Sequence, residues 1–303
     1  LDCTLRDGGY VNNWKFLDTQ IYSVINSLEK SNIDIIECGY LNDKKSGEIN
    51  TTLFNSTKIV DKFITQKSDT QKVVMINFGD FDIKNLPLQK NSKLHGIRLA
   101  FHKKDIPEAI KASKVIIKLG YKVFFQAMVT KNYSDLEFLS LIKDIKDLDI
   151  YAFYIVDSFG SMTLEEFQRY IMLADNNLNR NIAIGYHSHN NMQLAFSNAI
   201  DMCNLEVKRD IIIDSSIYGV GRGAGNLNTE LIANYLNTTF SKSYDILPLL
   251  EIIDELLNSM MKKNSWGFSP AQFLSASCNC HPNYASYLVN KNTNHMVGIK
   301  KVL

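Results

Sequence analysis

Short runs of β-branched and aromatic residues alternate along this chain with longer segments whose apolar positions recur every three or four residues. The runs Leu1–Leu5, Ile33–Cys38, Val73–Asn77, Gly96–Ala100, Lys122–Ala127, Ala152–Val156, Ala183–Tyr186 and Ile211–Ser215 predict eight strands. Amphipathic segments separate and follow them at Asp18–Lys30, Leu53–Lys67, Phe81–Leu88, Asp105–Leu119, Ser134–Leu148, Thr163–Asn177, Met192–Leu205 and Asn228–Leu236. Ile21, Val24, Ile25 and Leu28 show the spacing of a one-sided helix. Thr163 followed by Glu166 is a capping pair that marks a helix start. Strand then helix, eight times over about 240 residues, is the repeat of a (β/α)8 TIM barrel. The expected α/β catalytic barrel spans residues 1–240. A doubly wound open sheet is the alternative, disfavoured because no glycine-rich dinucleotide loop follows the first run. From Asp245 the rhythm breaks. An apolar helix over Ile246–Lys262, the stretch Trp266-Gly267-Phe268-Ser269-Pro270 and a helix around Ala271–Ala276 predict a helical C-terminal extension over 241–303.

Composition narrows the classes of function. With 303 residues, 45% of them hydrophobic, the chain can bury one large core. Its 33 Lys and Arg against 32 Asp and Glu argue for neither nucleic acid nor an anionic membrane as partner. No apolar run reaches the ~18 residues of a spanning helix. Five widely spaced cysteines fit reduced thiols in a cytoplasmic protein. Cys278-Asn279-Cys280-His281 lacks a second Cys/His pair at finger-like spacing, and reads as a loop rather than a zinc knuckle. Because the sequence opens on Leu1 within a strand-like run, a few native residues are expected before it. A further domain after Leu303 is compatible with the same reading.

A barrel carries its chemistry at the C-terminal ends of its strands. The residues expected there are Arg6 and Asp7, Glu37, Asn77, Arg98 or His102, Gln126, Asp157, His187 and His189, and the loop Tyr218–Asn226. His187 and His189 stand at i and i+2, so on a strand both imidazoles face one way. Together with Asp7 they make an open site for Zn²⁺, Mn²⁺, Fe²⁺ or Mg²⁺. Arg6 next to that site can hold a developing negative charge, which points to an enolate. A salt bridge between Asp7 and Arg6 is not expected, since adjacent residues seldom pair. Arg222 in the last glycine loop is either an anion-binding residue or a solvated one, and Glu37 either a substrate contact or an ion-pair partner of Arg6 or Arg98.

Three motifs carry a resemblance. Thr4-Leu5-Arg6-Asp7-Gly8, Gly185-Tyr186-His187-Ser188-His189-Asn190 and Gly223-Ala224-Gly225-Asn226-Leu227-Asn228-Thr229-Glu230 occur in that order over residues 1–240 and resemble the DRE-TIM metallolyases, the HMGL-like enzymes. That group includes 4-hydroxy-2-oxoacid (4-hydroxy-2-oxovalerate) aldolases, hydroxymethylglutaryl-CoA lyase and acyl-CoA condensing synthases. The resemblance implies metal ligation by Asp7, His187, His189 and Asn226, with Arg6 stabilising an enolate oxygen. It implies a divalent ion, Mn²⁺ or Mg²⁺ first, with Zn²⁺ or Co²⁺ as alternatives. At the acid/base position the chain departs from all three branches: Tyr10 stands where the aldolases have a histidine. No cysteine precedes Asn226 as it does in the CoA lyase. His281-Pro282-Asn283-Tyr284-Ala285-Ser286-Tyr287-Leu288 resembles a C-terminal aldolase stretch whose tyrosine enters the active site. Tyr284 is thus either a site residue or an anchor for the extension, and His281 an alternative base.

The resulting expectation is a metal-dependent aldehyde-lyase that forms or cleaves a C–C bond through a pyruvate-type enolate. A Claisen-type acyl-CoA enzyme and a non-catalytic barrel are the alternatives. Arg6, Tyr10 and Tyr284 are the expected catalytic residues, and Glu37, Gln126, Asp157 and Arg222 the expected substrate contacts. Asp157-Ser158-Phe159-Gly160 resembles a family element after the sixth strand. Specificity is expected from Tyr10 and the loop Leu41–Asn50. The expected partners are small 2-oxoacids and aldehydes, a second copy of the chain as a homodimer and, as the resemblance implies, a dehydrogenase that receives the aldehyde, or else a fused C-terminal domain.

Overall fold

The computed structural model describes residues 1–44, 49–65, 68–290 and 296–302. Part of the expected specificity loop, residues 45–48, lies outside them. The strands are β1 (Ile35–Leu41), β2 (Leu53–Phe54), β3 (Gln71–Asn77), β4 (Gly96–Phe101), β5 (Lys122–Ala127), β6 (Ala152–Asp157), β7 (Ala183–Ser188) and β8 (Ile211–Ile213). They form one parallel sheet in the order β2-β1-β3-β4-β5-β6-β7-β8. Helices pack between most successive strands, the βαβ arrangement that buries both faces of a parallel sheet. Between β3 and β4, at the expected amphipathic segment Phe81–Leu88, stand only the 3₁₀ turns Ile83–Asn85 and Gln89–Asn91. This is a (β/α)8 barrel followed by C-terminal helices.

The expected first strand is present only as a single stave. Asp2 bridges Ile36 of β1 on one side and Ser215, just past β8, on the other. Asp2 N–H donates to Ile35, Glu37 N–H donates to Asp2, and Cys3 N–H donates to Ser215. Leu1–Cys3 therefore sits between the sheet's two ends. From Thr4 to Asp7 the chain is a helical turn, not strand. The two-residue β2 pairs with β1 at the edge and takes the start of the expected amphipathic segment Leu53–Lys67, whose helix runs only from Thr57 to Phe63.

Local signals place the helices. Thr163 and Glu166 form the capping box of the helix Leu164–Asn177. Ser134 and Glu137 do the same for Asp135–Ile145. The barrel interior holds an apolar plug of Ile35, Val73, Phe124, Ala152, Tyr154 and Val156 with their neighbours. A larger apolar shell lies between strands and helices. Leu249, Ile252, Leu257 and Trp266, all beyond residue 240, belong to that shell, so the first C-terminal helices share the barrel's core. Among the described residues no helix is long and apolar enough to cross a membrane.

A candidate metal centre at the barrel mouth

The site begins with a turn. Asp2 Oδ1 accepts the Thr4 N–H at 2.9 Å, and Oδ2 accepts the Thr229 hydroxyl at 2.6 Å. A short acidic side chain that captures a backbone donor two residues on favours a turn over continued strand. This turn carries Arg6 and Asp7 into the barrel, where both are buried. Arg6 Nη1 pairs with Asp7 Oδ1 at 2.9 Å. That corrects the expectation from chain adjacency: the long arginine arm folds back once the backbone turns.

Asp7 Oδ2 lies 3.6 Å from His189 Nε2 and 3.9 Å from His187 Nε2. One ligand atom from each of the three residues lies within 4.8 Å of the others, and all three are buried. His187 stands on β7 and His189 just past its end, as their spacing required. Asp214 Oδ2 lies 3.0 Å from His187 Nδ1, leaving Nε2 to face Asp7. Asn226 Nδ2 donates to Asp7 Oδ2 at 2.5 Å and to the Val220 carbonyl at 3.1 Å. A Cβ on Gly221 would fall 2.3 Å from that amide nitrogen, so the loop needs glycine there to seat Asn226.

Charges and loose ends fit a cation. Burial pushes the Asp7 carboxyl up, but Arg6, His189, His187 and Arg222 outweigh it and hold the group well below the usual carboxylate range. Burial pushes His189 down to about 3 against the pull of Asp7, so its ring is neutral, the form that ligates metals. Both ring nitrogens of His189 and Oδ1 of Asn226 are buried with no hydrogen-bond partner among the described residues. Orphaned buried polar atoms are costly. Here they belong to residues that contact an ionised carboxylate, and a donor set of one carboxylate, two imidazoles and an amide oxygen suits a divalent ion.

Below this cluster runs a buried ionic network. Glu37 Oε2 accepts from Arg6 Nε at 2.8 Å and lies 2.8 Å from Arg98 Nη1. Arg98 in turn pairs with Asp214. Tyr154 donates to Asp214 at 3.1 Å. With its amide turned so that the oxygen rather than the nitrogen faces the guanidinium, Gln126 accepts from Arg98 Nε and Nη2 at 2.6 Å. Glu37 and Arg98 lie within β1 and β4 rather than at their ends. Three expected substrate contacts are thus parts of the wall. Glu37 joins two arginines and Gln126 braces Arg98. Both oxygens of Asp157 accept loop N–H groups, from Ser161 and Met162 at 3.0 Å each. Asp214 is the residue that sequence reasoning missed; the available signal was an aspartate directly after the Ile211–Ile213 strand.

At the mouth, Arg222 stacks over the Tyr10 ring at 4.2 Å, and its Nη1 lies 3.5 Å from His281 Nε2. Burial raises the Tyr10 phenol above its usual range while Arg222 opposes that shift. The structure does not bring Tyr284 to this cluster. It is 61% exposed, whereas the next residue, Ala285, is buried. A helix over Pro282–Asn290 turns adjacent residues to different faces, and the C-terminal side chain that meets Arg222 is His281. His102 is exposed after β4. Asn77 donates to Asp80, which also accepts from Tyr40.

Comparison with known proteins agrees with this geometry. The HMGL-like family profile matches residues 1–254. A 4-hydroxy-2-oxovalerate aldolase of Bacillus thuringiensis (strain Al Hakam) is 24% identical over 261 residues, covering 85% of this chain and 75% of that protein. The solved N-terminal domain of a candidate aldolase from Bacteroides vulgatus aligns with a TM-score of 0.83 and 28% identity, over 100% of this chain and 99% of that one. The HMG-CoA lyase of Brucella melitensis, at 14% identity and a TM-score of 0.67, covers 86% of this chain and 96% of its own, and shares the fold. Barrel, motif order and family match converge: the chain belongs to the HMGL-like, or DRE-TIM, family and is an enzyme of the lyase kind.

Proposed function

We propose that the protein is a divalent-metal-dependent aldolase that interconverts a 4-hydroxy-2-oxoacid with pyruvate and an aldehyde. One observation carries this reading. Arg6 has two of its nitrogens held by Glu37 and Asp7, while Nη2 is buried without a partner beside the Asp7, His187 and His189 cluster. A fixed cationic donor with a free Nη2 amino group, set against a cation site, is what an enolate oxygen needs. A divalent ion bound by Asp7, His187, His189 and Asn226 would polarise the carbonyl of the 2-oxoacid.

The protein groups supply the rest. Arg6 cannot swing away, because Glu37 and Asp7 anchor it, so its charge is in place before any develops on the substrate. Tyr10 keeps its proton at neutral pH and lies under Arg222 at the mouth. In the condensing direction its hydroxyl gives that proton to the aldehyde oxygen as the C–C bond forms. The Asp214–His187 contact keeps the imidazole in one tautomer.

The test is proton exchange. Pyruvate incubated in D₂O with the protein and Mn²⁺ should lose its methyl protons, followed by NMR. Absence of exchange with every divalent ion tried would remove the aldolase reading. Exchange that appears only together with thiol release from an acyl-CoA would move the activity to the condensing branch.

A further inference from the structure

Arg6 and Arg98 are matched to carboxylates, but Arg222 is not. Among the described residues it forms no ion pair, and its Nε is buried without a hydrogen-bond partner. Stacking on Tyr10 occupies the flat face of the guanidinium and leaves its edge N–H groups available. Nη1 points at His281 Nε2, 3.5 Å away. The other side of that ring decides what Nε2 is. His281 Nδ1 accepts the backbone N–H of Asn283 at 3.2 Å, so the neutral ring carries its proton on Nε2. Nη1–H and Nε2–H are therefore two donors facing each other, not a hydrogen bond. Arg222 is also near enough to the metal cluster for its charge to act on Asp7 and His189. A guanidinium edge and an imidazole N–H that share no acceptor are complementary to anionic oxygens.

We propose that Arg222 and His281 hold the anionic end group, a carboxylate or a phosphate, of the aldehyde partner, so that the enzyme takes a charged aldehyde rather than a short neutral one. The aldehyde part of this statement rests on the aldolase reading; the anion site does not. The glycine loop Gly219–Gly225 carries Arg222 over Tyr10, which places the end group beside the phenol and sets how far the aldehyde carbon stands from it.

Two measurements test it, and the first needs no catalysis. Glycerol 3-phosphate and succinate, with glycerol as the neutral control, are titrated calorimetrically into metal-free protein. At least one anion should bind where glycerol does not, and Arg222→Gln should weaken it tenfold or more, with His281→Gln weakening it less. Anions that bind no better than glycerol, or as well to Arg222→Gln as to the wild type, overturn the proposal. The second measurement follows condensation of pyruvate, with Mn²⁺, onto glyceraldehyde 3-phosphate, succinic semialdehyde or propionaldehyde. A charged aldehyde should lead propionaldehyde by at least tenfold in kcat/KM, and Arg222→Gln should bring that ratio close to one. The better of the two anionic aldehydes tells phosphate from carboxylate. If neutral aldehydes lead while pyruvate exchange proceeds, the anion proposal falls alone. If exchange fails while the anions still bind through Arg222, the aldolase reading falls and the anion site stands.

Discussion

His187 Nδ1 lies 3.0 Å from Asp214 Oδ2, and that contact turns the other ring nitrogen toward Asp7. Such a carboxylate–imidazole pair orients a metal ligand and raises its basicity, and its loss typically costs ~10–100-fold in affinity. Asp214→Asn should therefore weaken Mn²⁺ binding by about that factor, measured by competition with a fluorescent chelator. An unchanged affinity would mean that Asp214 serves only to neutralise Arg98.

Asp7 and Arg6 are neighbours with separable duties. Asp7→Ala should abolish stoichiometric metal in the purified protein, read by elemental analysis. Arg6→Ala should retain the metal and lose pyruvate methyl exchange. Normal exchange by Arg6→Ala would remove the role argued for its guanidinium.

Gly221 lies against the amide of Asn226. Gly221→Ala should push that amide off Asp7 and weaken metal binding while thermal stability stays near the wild-type value. A melting temperature that falls with metal affinity unchanged would show that the glycine serves loop folding instead.

Glu37 joins two buried arginines. Glu37→Gln takes from each arginine one of its two carboxylate partners, and breaking a buried pair by removing one partner costs ~3–5 kcal/mol. Urea denaturation should show a loss of this order. A loss under ~1 kcal/mol would mean that Asp7 and Asp214 suffice for the two arginines.

Burial raises the carboxyls of Asp2 and Asp157 from 3.8 to about 6. In both cases the native state binds the proton more tightly than the unfolded chain. Their contribution is thus fully present below pH 3.8 and lost as pH rises through about 6. The slope of stability against pH between those values should become less negative in Asp157→Asn, as measured by denaturant melts across the range. An identical slope would show that Asp157 titrates normally in the folded protein.

The barrel was legible because its evidence is local. Runs such as Ala152–Val156 are apolar on both faces, as a strand covered on both sides must be, and the Thr163/Glu166 pair acts within one turn of chain. The first stave was misread because Leu1, Cys3 and Leu5 alternate with Asp2 and Thr4 as the residues of a strand would. Its switch to a helical turn at Thr4 depends on Asp2, whose second oxygen is held by Thr229, 227 residues away.

The sequence by itself determined the repeat of strand and helix, the candidate metal-ligand set Asp7, His187 and His189, and Arg6 beside it, because residue type and i, i+2 spacing carry those meanings wherever the chain goes. Only the tertiary structure decided that Glu37, Gln126 and Asp157 belong to the wall, that Asp214 sets His187, and that His281 rather than Tyr284 meets Arg222. Apart from the Asp157 loop contacts, those relations join residues tens of positions apart. Which side chain has its hydrogen bonds already satisfied, and which is left free for a ligand, is settled only when the barrel closes and removes water from both.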